Sequence, residues 1–146
     1  MGRNHARLYC DLPGAELVAV TDLDSPRAEQ LAERYGARAY RGHLEMLQEQ
    51  KPDAVSVVVP TNEHFDVARD ALEHGCHVLV EKPIASTLEQ AEELVDEARR
   101  RGRLLAVGHV ERYNPAIVAL KEKLDAGQLG RVFEARSRRL GPFPDR

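Results

Sequence analysis

Asp53-Ala54-Val55-Ser56-Val57-Val58-Val59-Pro60-Thr61-Asn62-Glu63-His64 is the stretch from which the architecture is read. Ala54 to Val59 is the most apolar run of the chain and reads as a strand buried on both faces, ended by Pro60. Phe65, Val67, Ala68, Ala71 and Leu72 then recur as the apolar positions of a helix. The same alternation extends in both directions. Upstream, Glu16 to Val20 is a short strand entered through Pro13-Gly14 and left through Thr21-Asp22. Ser25-Pro26 reads as an N-cap with proline in the first turn, and Ala28, Leu31, Ala32 and Tyr35 continue that helix until Gly36 stops it. Ala37 to Tyr40 makes a short strand, and Leu44, Met46 and Leu47 lie on a brief helix. Downstream come a strand His77 to Val80, a helix from Thr87 carrying Leu88, Ala91, Leu94, Val95 and Ala98, and a strand Leu104 to Val107.

Apolar strands separated by helices predict right-handed βαβ units and a parallel sheet, so the fold class is doubly wound α/β. In such sheets ligands sit at the carboxyl ends of the strands. Those ends read Thr21-Asp-Leu-Asp24, Pro60-Thr-Asn-Glu-His64, Glu81-Lys-Pro83 and Gly108-His-Val-Glu-Arg-Tyr-Asn-Pro115, and they are expected to converge on one crevice. After Asn114-Pro115 the pattern changes. A helix with Ile117, Val118, Leu120 and Leu124 ends at Gly127, and Arg131 to Ser137 alternates like a half-buried strand. A lone strand is marginal, so it is taken as the beginning of a second α+β domain. The division expected is 1–112 for a dinucleotide-binding domain and 113–146 for the start of a substrate and oligomerisation domain.

A chain of 146 residues buries one ordinary core. Its 21 Lys and Arg against 24 Asp and Glu give a formal charge of -3, which offers no single-sign field for a phosphate backbone or a membrane surface. Arg99, Arg100, Arg101 and Arg103 cluster beside Gly102, where cations complement a helix end. Cys10 and Cys76 have no partner spacing for a disulfide framework or a zinc site. The opening Met-Gly-Arg-Asn-His-Ala lacks the apolar core of a signal peptide, so a soluble, cytoplasmic protein is expected.

Each strand end carries two readings. Asp22 can accept the hydroxyls of an adenine ribose, which favours NAD over a 2'-phosphorylated cofactor; Asp22 and Asp24 equally suit a turn before a helix. Gly2, with Asn4 and His5 after it, fits the last glycine of a phosphate-binding turn, because it stands roughly twenty residues before Asp22. Pro60, Thr61, Asn62 and His64 can border a nicotinamide ribose, while Thr61 or Asn62 also makes a good N-cap. Glu81-Lys82-Pro83 is the sharpest local signal. A lysine at a strand end, flanked by a carboxylate and a proline, presents an ammonium that can orient and polarise a substrate hydroxyl, although a surface Lys-Pro turn has the same sequence. Arg112 can pair with an anionic substrate group or with an exposed acid, and Asn114 stands beside it. His43, His74 and His77 have no such company and read as structural.

Taken together, Asp22-Leu-Asp24, Val59-Pro-Thr-Asn-Glu-His64, Val80-Glu-Lys-Pro-Ile-Ala85 and Gly108 to Pro115 resemble successive landmarks of the Gfo/Idh/MocA oxidoreductases over essentially the whole chain. Gly108 to Pro115, with Gly141-Pro-Phe-Pro-Asp-Arg146, is most similar to the branch that includes UDP-N-acetylglucosamine 3-dehydrogenases. The resemblance implies an NAD-dependent dehydrogenase of sugars or nucleotide sugars, a homo-oligomer when full length, with no nucleic-acid or membrane partner. It assigns the catalytic role to Lys82, which also contacts cofactor and substrate; it places Glu81 on the cofactor and Arg112 and Asn114 toward the substrate. Family members open with a strand and a Gly-x-Gly-x-x-Gly turn, of which Gly2 alone is present, so the expected Rossmann-like sheet lacks its first strand. The chain accordingly reads as truncated at both ends. Two alternatives share these landmarks: a nucleotide-binding regulatory module without catalysis, and a family member acting on a non-sugar substrate.

Overall fold

The computed structural model describes residues 1–138 and 140. Its elements in chain order are α1 (Gly2–Asp11), β1 (Ala19–Thr21), α2 (Ser25–Tyr35), β2 (Arg38–Tyr40), α3 (His43–Gln50), β3 (Ala54–Val57), α4 (Thr61–Glu73), β4 (His77–Val80), α5 (Leu88–Arg101), β5 (Leu105–Val107), a 3-10 turn at Val110–Tyr113 and α6 (Pro115–Asp125). The α/β alternation expected from the sequence is present throughout Met1–His109, which forms one compact unit; Val110–Arg146 forms another.

All strand pairs are parallel, but the sheet is in two pieces: β1 with β2, and β3-β4-β5 in that order. Backbone bonds show which edges are unpaired. Arg38 N–H donates to Val18 O and Asp22 N–H to Tyr40 O, so the groups of Ala19 and Thr21 point away from β2. His77 N–H donates to Asp53 O and Glu81 N–H to Val57 O, so those of Ala54 and Ser56 point away from β4. Among the described residues no strand pairs with either of these edges, in keeping with the sheet expected to lack a strand.

Helix ends follow local chemistry. Thr87 caps α5 by accepting from Gln90 N–H at 3.3 Å, and Gly102, at φ 63°, closes it in the left-handed conformation that glycine adopts without strain. The arginines there are helix-end residues. Arg99 pairs with Asp96 at 3.0 Å, while Arg100 and Arg101 pair with the buried Glu97. The bond from Arg101 holds the Glu97 carboxyl below the usual carboxylate range. Several expected boundaries shift: the first strand, expected from Glu16 to Val20, runs Ala19–Thr21, and those expected from Ala37 and Leu104 begin one residue later. Asp24, one residue earlier than expected, is the N-cap of α2, leaving Ser25 and Pro26 as its first helical residues. Pro60, not Thr61 or Asn62, stands at the N-cap of α4. The third expected strand stops at Val57, two residues short of Val59. The β3-β4 ladder advances two residues per bond, and the donor due opposite Val59 O after Glu81 is Pro83, which has no N–H.

The core lies between α4, α5 and the β3-β4-β5 sheet. Val57, Ala68, Ala71, Leu72, Cys76, Val80 and Leu94 are almost wholly inaccessible, with Leu47 and Phe65 packed against them. Burial pushes the Cys76 thiol up, which leaves it an unreactive core residue. The three histidines read as structural are engaged within the fold: His43 with Asp70 at 2.8 Å, His74 with Asp70 O at 2.7 Å, and His77 accepting from Leu104 N–H at 2.9 Å.

In the second unit Asn114 caps α6 by accepting from Ala116 N–H at 3.0 Å. The strand expected at Arg131 to Ser137 is not formed; residues 132–138 carry no regular structure and are exposed. An alternating pattern becomes a strand only where a neighbouring strand accepts its ladder, and none of the described residues supplies one. Residues 141–146, quoted above for their resemblance, lie outside the described residues.

Candidate active site at the strand ends

The turn after β4 is built around Glu81, which is 8% exposed. One carboxylate oxygen accepts from His5 Nε2 at 3.1 Å, and the other accepts from the Lys82 backbone N–H at 3.2 Å. Burial alone would raise this carboxyl, yet those two hydrogen bonds and the nearby His5 and Lys82 together hold it below its ordinary value. The carboxylate therefore stays ionised and anchors the backbone from which Lys82 projects. Lys82 itself is exposed, and its peptide bond to Pro83 is cis.

Gly108, just past β5, packs flat on the Glu81 carboxylate. A Cβ there would meet the carboxylate atoms at 3.1 to 3.2 Å. Because that carboxylate is tied on both oxygens, it cannot give way freely. Replacing Gly108 by alanine is thus expected to destabilise the fold by about 1–3 kcal/mol, read as a lowered urea midpoint; a midpoint equal to wild type would mean that the carboxylate has room to move.

His64 is buried at 2% exposure, at the start of α4. Its Nδ1 lies 2.7 Å from Pro83 O and its Nε2 3.0 Å from Val59 O. Val59 O is the carbonyl that Pro83, lacking an N–H, leaves without its ladder donor. The ring therefore lies between the end of the β3 segment and the turn holding Lys82, its neutral form donating to one of these two carbonyls, rather than facing outward from the strand end. Around it, Asn62 Nδ2 donates to Glu63 at 2.6 Å, and Thr61 O accepts from Ser86 Oγ at 3.3 Å.

Asp22 is exposed after β1, and its Oδ1 accepts from Asp24 N–H at 3.0 Å. The turn reading and the ribose reading coexist there, since the second oxygen remains an acceptor for a diol. Gly2 opens α1, and Asn4 is exposed in its first turn. His5 is engaged with Glu81 and, through Nδ1, lies 3.3 Å from Ser56 Oγ, which is itself 2.7 Å from Tyr9 Oη. Ser56 and Tyr9 were not picked out by sequence reasoning. The available signals were Ser56 as the lone polar side chain in the Ala54–Val59 run and the i, i+4 spacing of His5 and Tyr9.

In the second unit, Arg112 is exposed in the 3-10 turn, and Asn114 Nδ2 donates to Glu111 Oε2 at 3.0 Å besides capping α6. A cavity of about 290 Å³ is lined by Arg3, Gln30, Leu31, Glu33 and Arg34 on α1 and α2, none of them at a strand end. The structure thus gathers His5, Ser56, Glu81, Gly108 and His64 about the Lys82 turn. The donor and acceptor set at the strand ends, a carboxylate for a diol and an ammonium on an anchored turn, fits a dinucleotide.

Comparison with known proteins gives the same picture. The model of the oxidoreductase family with an NAD-binding Rossmann fold, GFO_IDH_MocA, matches residues 1–109. The chain is 42% identical to D-glucoside 3-dehydrogenase of Escherichia coli over 93% of its own length and 39% of that protein. It is 38% identical to UDP-N-acetylglucosamine 3-dehydrogenase of Acidithiobacillus ferrooxidans over 100% of its length and 44% of the relative. The crystal structure of myo-inositol dehydrogenase from Lactobacillus casei with NAD(H) and myo-inositol superposes with a TM-score of 0.81 at 40% identity, covering 89% of this chain and 40% of that one. The chain spans about two fifths of the length of the curated relatives it matches.

Proposed function

This chain belongs to the Gfo/Idh/MocA oxidoreductase family, and we propose that it serves a protein that moves a hydride between NAD and a carbon bearing a sugar or nucleotide-sugar hydroxyl. The observation that carries this reading is the exposed Lys82 on a turn fixed from two sides, by Glu81 below and by His64 beyond Pro83. An ammonium held on an immobile backbone can bind a substrate hydroxyl and orient its carbon, and the rigidity of the turn replaces freedom that would otherwise be lost during reaction. NAD, when bound, supplies hydride acceptance and donation at the nicotinamide C4.

In this reading Asp22 takes the adenine ribose diol, and the first turn of α1 with Gly2 and Asn4 faces the phosphates, while the His5 ring is taken up by Glu81 and Ser56. Pro60, Thr61 and Asn62 border the nicotinamide half. His64 acts there by holding Val59 and Pro83 in place. Arg112 and Asn114, both in the unit that begins at Val110, take the substrate role. The nucleotide-sugar class is supported by the relative from Acidithiobacillus, and a cyclitol is the second reading, supported by the myo-inositol dehydrogenase. The reading takes the protein as cytoplasmic, which its two free cysteines support, and, from the family resemblance, as a homo-oligomer; no described helix is long and apolar enough to cross a membrane.

Titration with NADH and NADPH, followed by fluorescence, tests the cofactor assignment. Wild type is expected to favour NADH, and Asp22→Ser to lose that preference by about tenfold to a hundredfold, the equivalent of one hydrogen bond to a charged group. An unchanged cofactor ratio in the variant would remove Asp22 from the site.

A further inference from the structure

The contacts beneath Lys82 continue beyond Glu81 through His5 and Ser56 to Tyr9, and a neutral His5 gives them a single direction. An ionised carboxylate only accepts, so the 3.1 Å contact between Glu81 Oε1 and His5 Nε2 places a hydrogen on Nε2. In the neutral ring Nδ1 is then a bare acceptor, and its partner at 3.3 Å, Ser56 Oγ, is the donor. Ser56 has one hydroxyl hydrogen and spends it there. At the 2.7 Å contact with Tyr9 Oη the phenol must therefore donate. With His5 neutral, each hydrogen is used once and all the bonds point the same way, from Tyr9 through Ser56 and His5 to Glu81.

We propose that Tyr9 and Ser56 are positioning residues that act through His5 and Glu81 to set the Lys82 turn. The functional half of this inference rests on the catalytic reading of Lys82. The placement supports it: α1 supplies His5 and Tyr9 one helical turn apart, β3 supplies the hydroxyl between them, and the end of β4 supplies the carboxylate. Ser56 stands among apolar neighbours in Ala54–Val59, where a hydroxyl contributes nothing to packing that alanine or valine would not. Removing it leaves His5 Nδ1 without its donor, so the ring can rotate or change tautomer. Glu81 then loses the bond that fixes one oxygen, while the other still holds the Lys82 amide.

The test uses the whole chain, labelled with 15N, in wild type, Ser56→Ala, Ser56→Thr and Tyr9→Phe forms. Wild type is expected to show His5 as the Nε2–H tautomer with a hydrogen-bonded Nδ1. Ser56→Ala should shift the Nδ1 resonance toward an unbonded acceptor and move the Lys82 backbone amide; Tyr9→Phe should do so less, and Ser56→Thr, which keeps the hydroxyl, should restore both. In the active protein kcat should fall by about threefold to tenfold for Ser56→Ala and recover in Ser56→Thr, the size of one neutral hydrogen bond. A His5 found as the Nδ1–H tautomer or as the imidazolium, or a Lys82 amide unmoved in Ser56→Ala, would overturn the inference. Turnover that survives loss of the Lys82 ammonium, with the amide still following Ser56, would sink the catalytic reading and leave the positioning chain standing.

Discussion

Replacing Lys82 by methionine is expected to lower kcat for NADH formation by about a hundredfold to ten-thousandfold while NADH affinity stays within about threefold. Methionine keeps an unbranched side chain of similar length and removes the ammonium, so the backbone turn has no reason to move. Glu81 still takes the residue-82 backbone N–H and His64 still takes Pro83 O, because neither contact uses the lysine side chain. What disappears is the charge that, on the proposed reading, orients the hydroxyl and favours the polarised C–O bond as the hydride leaves. The measurement is steady-state turnover set beside a binding titration of the same preparation. Equal turnover in the two proteins would refute a catalytic role for Lys82; a matching collapse of affinity would recast it as a binding group.

Replacing Leu94 by alanine is expected to cost about 2–5 kcal/mol, a large share of what a small domain possesses. Leu94 has no exposed surface, and it sits on α5 in the same cluster as Leu72, Val80 and Ala98. Truncation leaves a space that the flanking helix and sheet cannot close without moving the β4 end, where Glu81 begins. Urea unfolding should show a lower midpoint at an unchanged slope. A loss below about 1 kcal/mol would mean that the core repacks easily around the gap.

Much of the fold was legible because its signals are local. Thr87 and Gly102 bound α5 by capping and left-handed geometry, and the apolar runs around Val20, Val57, Val80 and Val107 do form strands, although β1 and β5 are only half-buried and Ala54 and Val59 are exposed, against the burial on both faces expected of them. The failures have specific causes. Arg131 to Ser137 has the alternation of a strand, but alternation does not supply a partner. The strand ending at Val57 was read as reaching Val59, because its length depends on Pro83, a residue of the neighbouring strand's turn.

The site divides along the same line. Glu81-Lys82-Pro83 stood out as a contiguous tripeptide. The setting of His64 did not, because its two carbonyl partners become visible only when the first turn of α4 folds back over Val59. Tyr9 and Ser56 were overlooked for a similar reason: they meet across 47 residues of sequence, where no local pattern joins them.

The division of the sheet has a further consequence for how the molecule comes apart. Cooperativity in a continuous sheet passes from strand to strand through the backbone ladder, whereas among the described residues β1 and β2 are joined to β3, β4 and β5 through side chains and connecting helices. The first pair is thus tied to the rest through side-chain packing, Tyr40 and Ala19 sharing a core cluster with Val57 and Val80, so that loosening of this packing would release Asp22 before the Lys82 turn. Recognition of the adenosine end and alignment of the reacting end would then have separate thresholds for failure within a single chain.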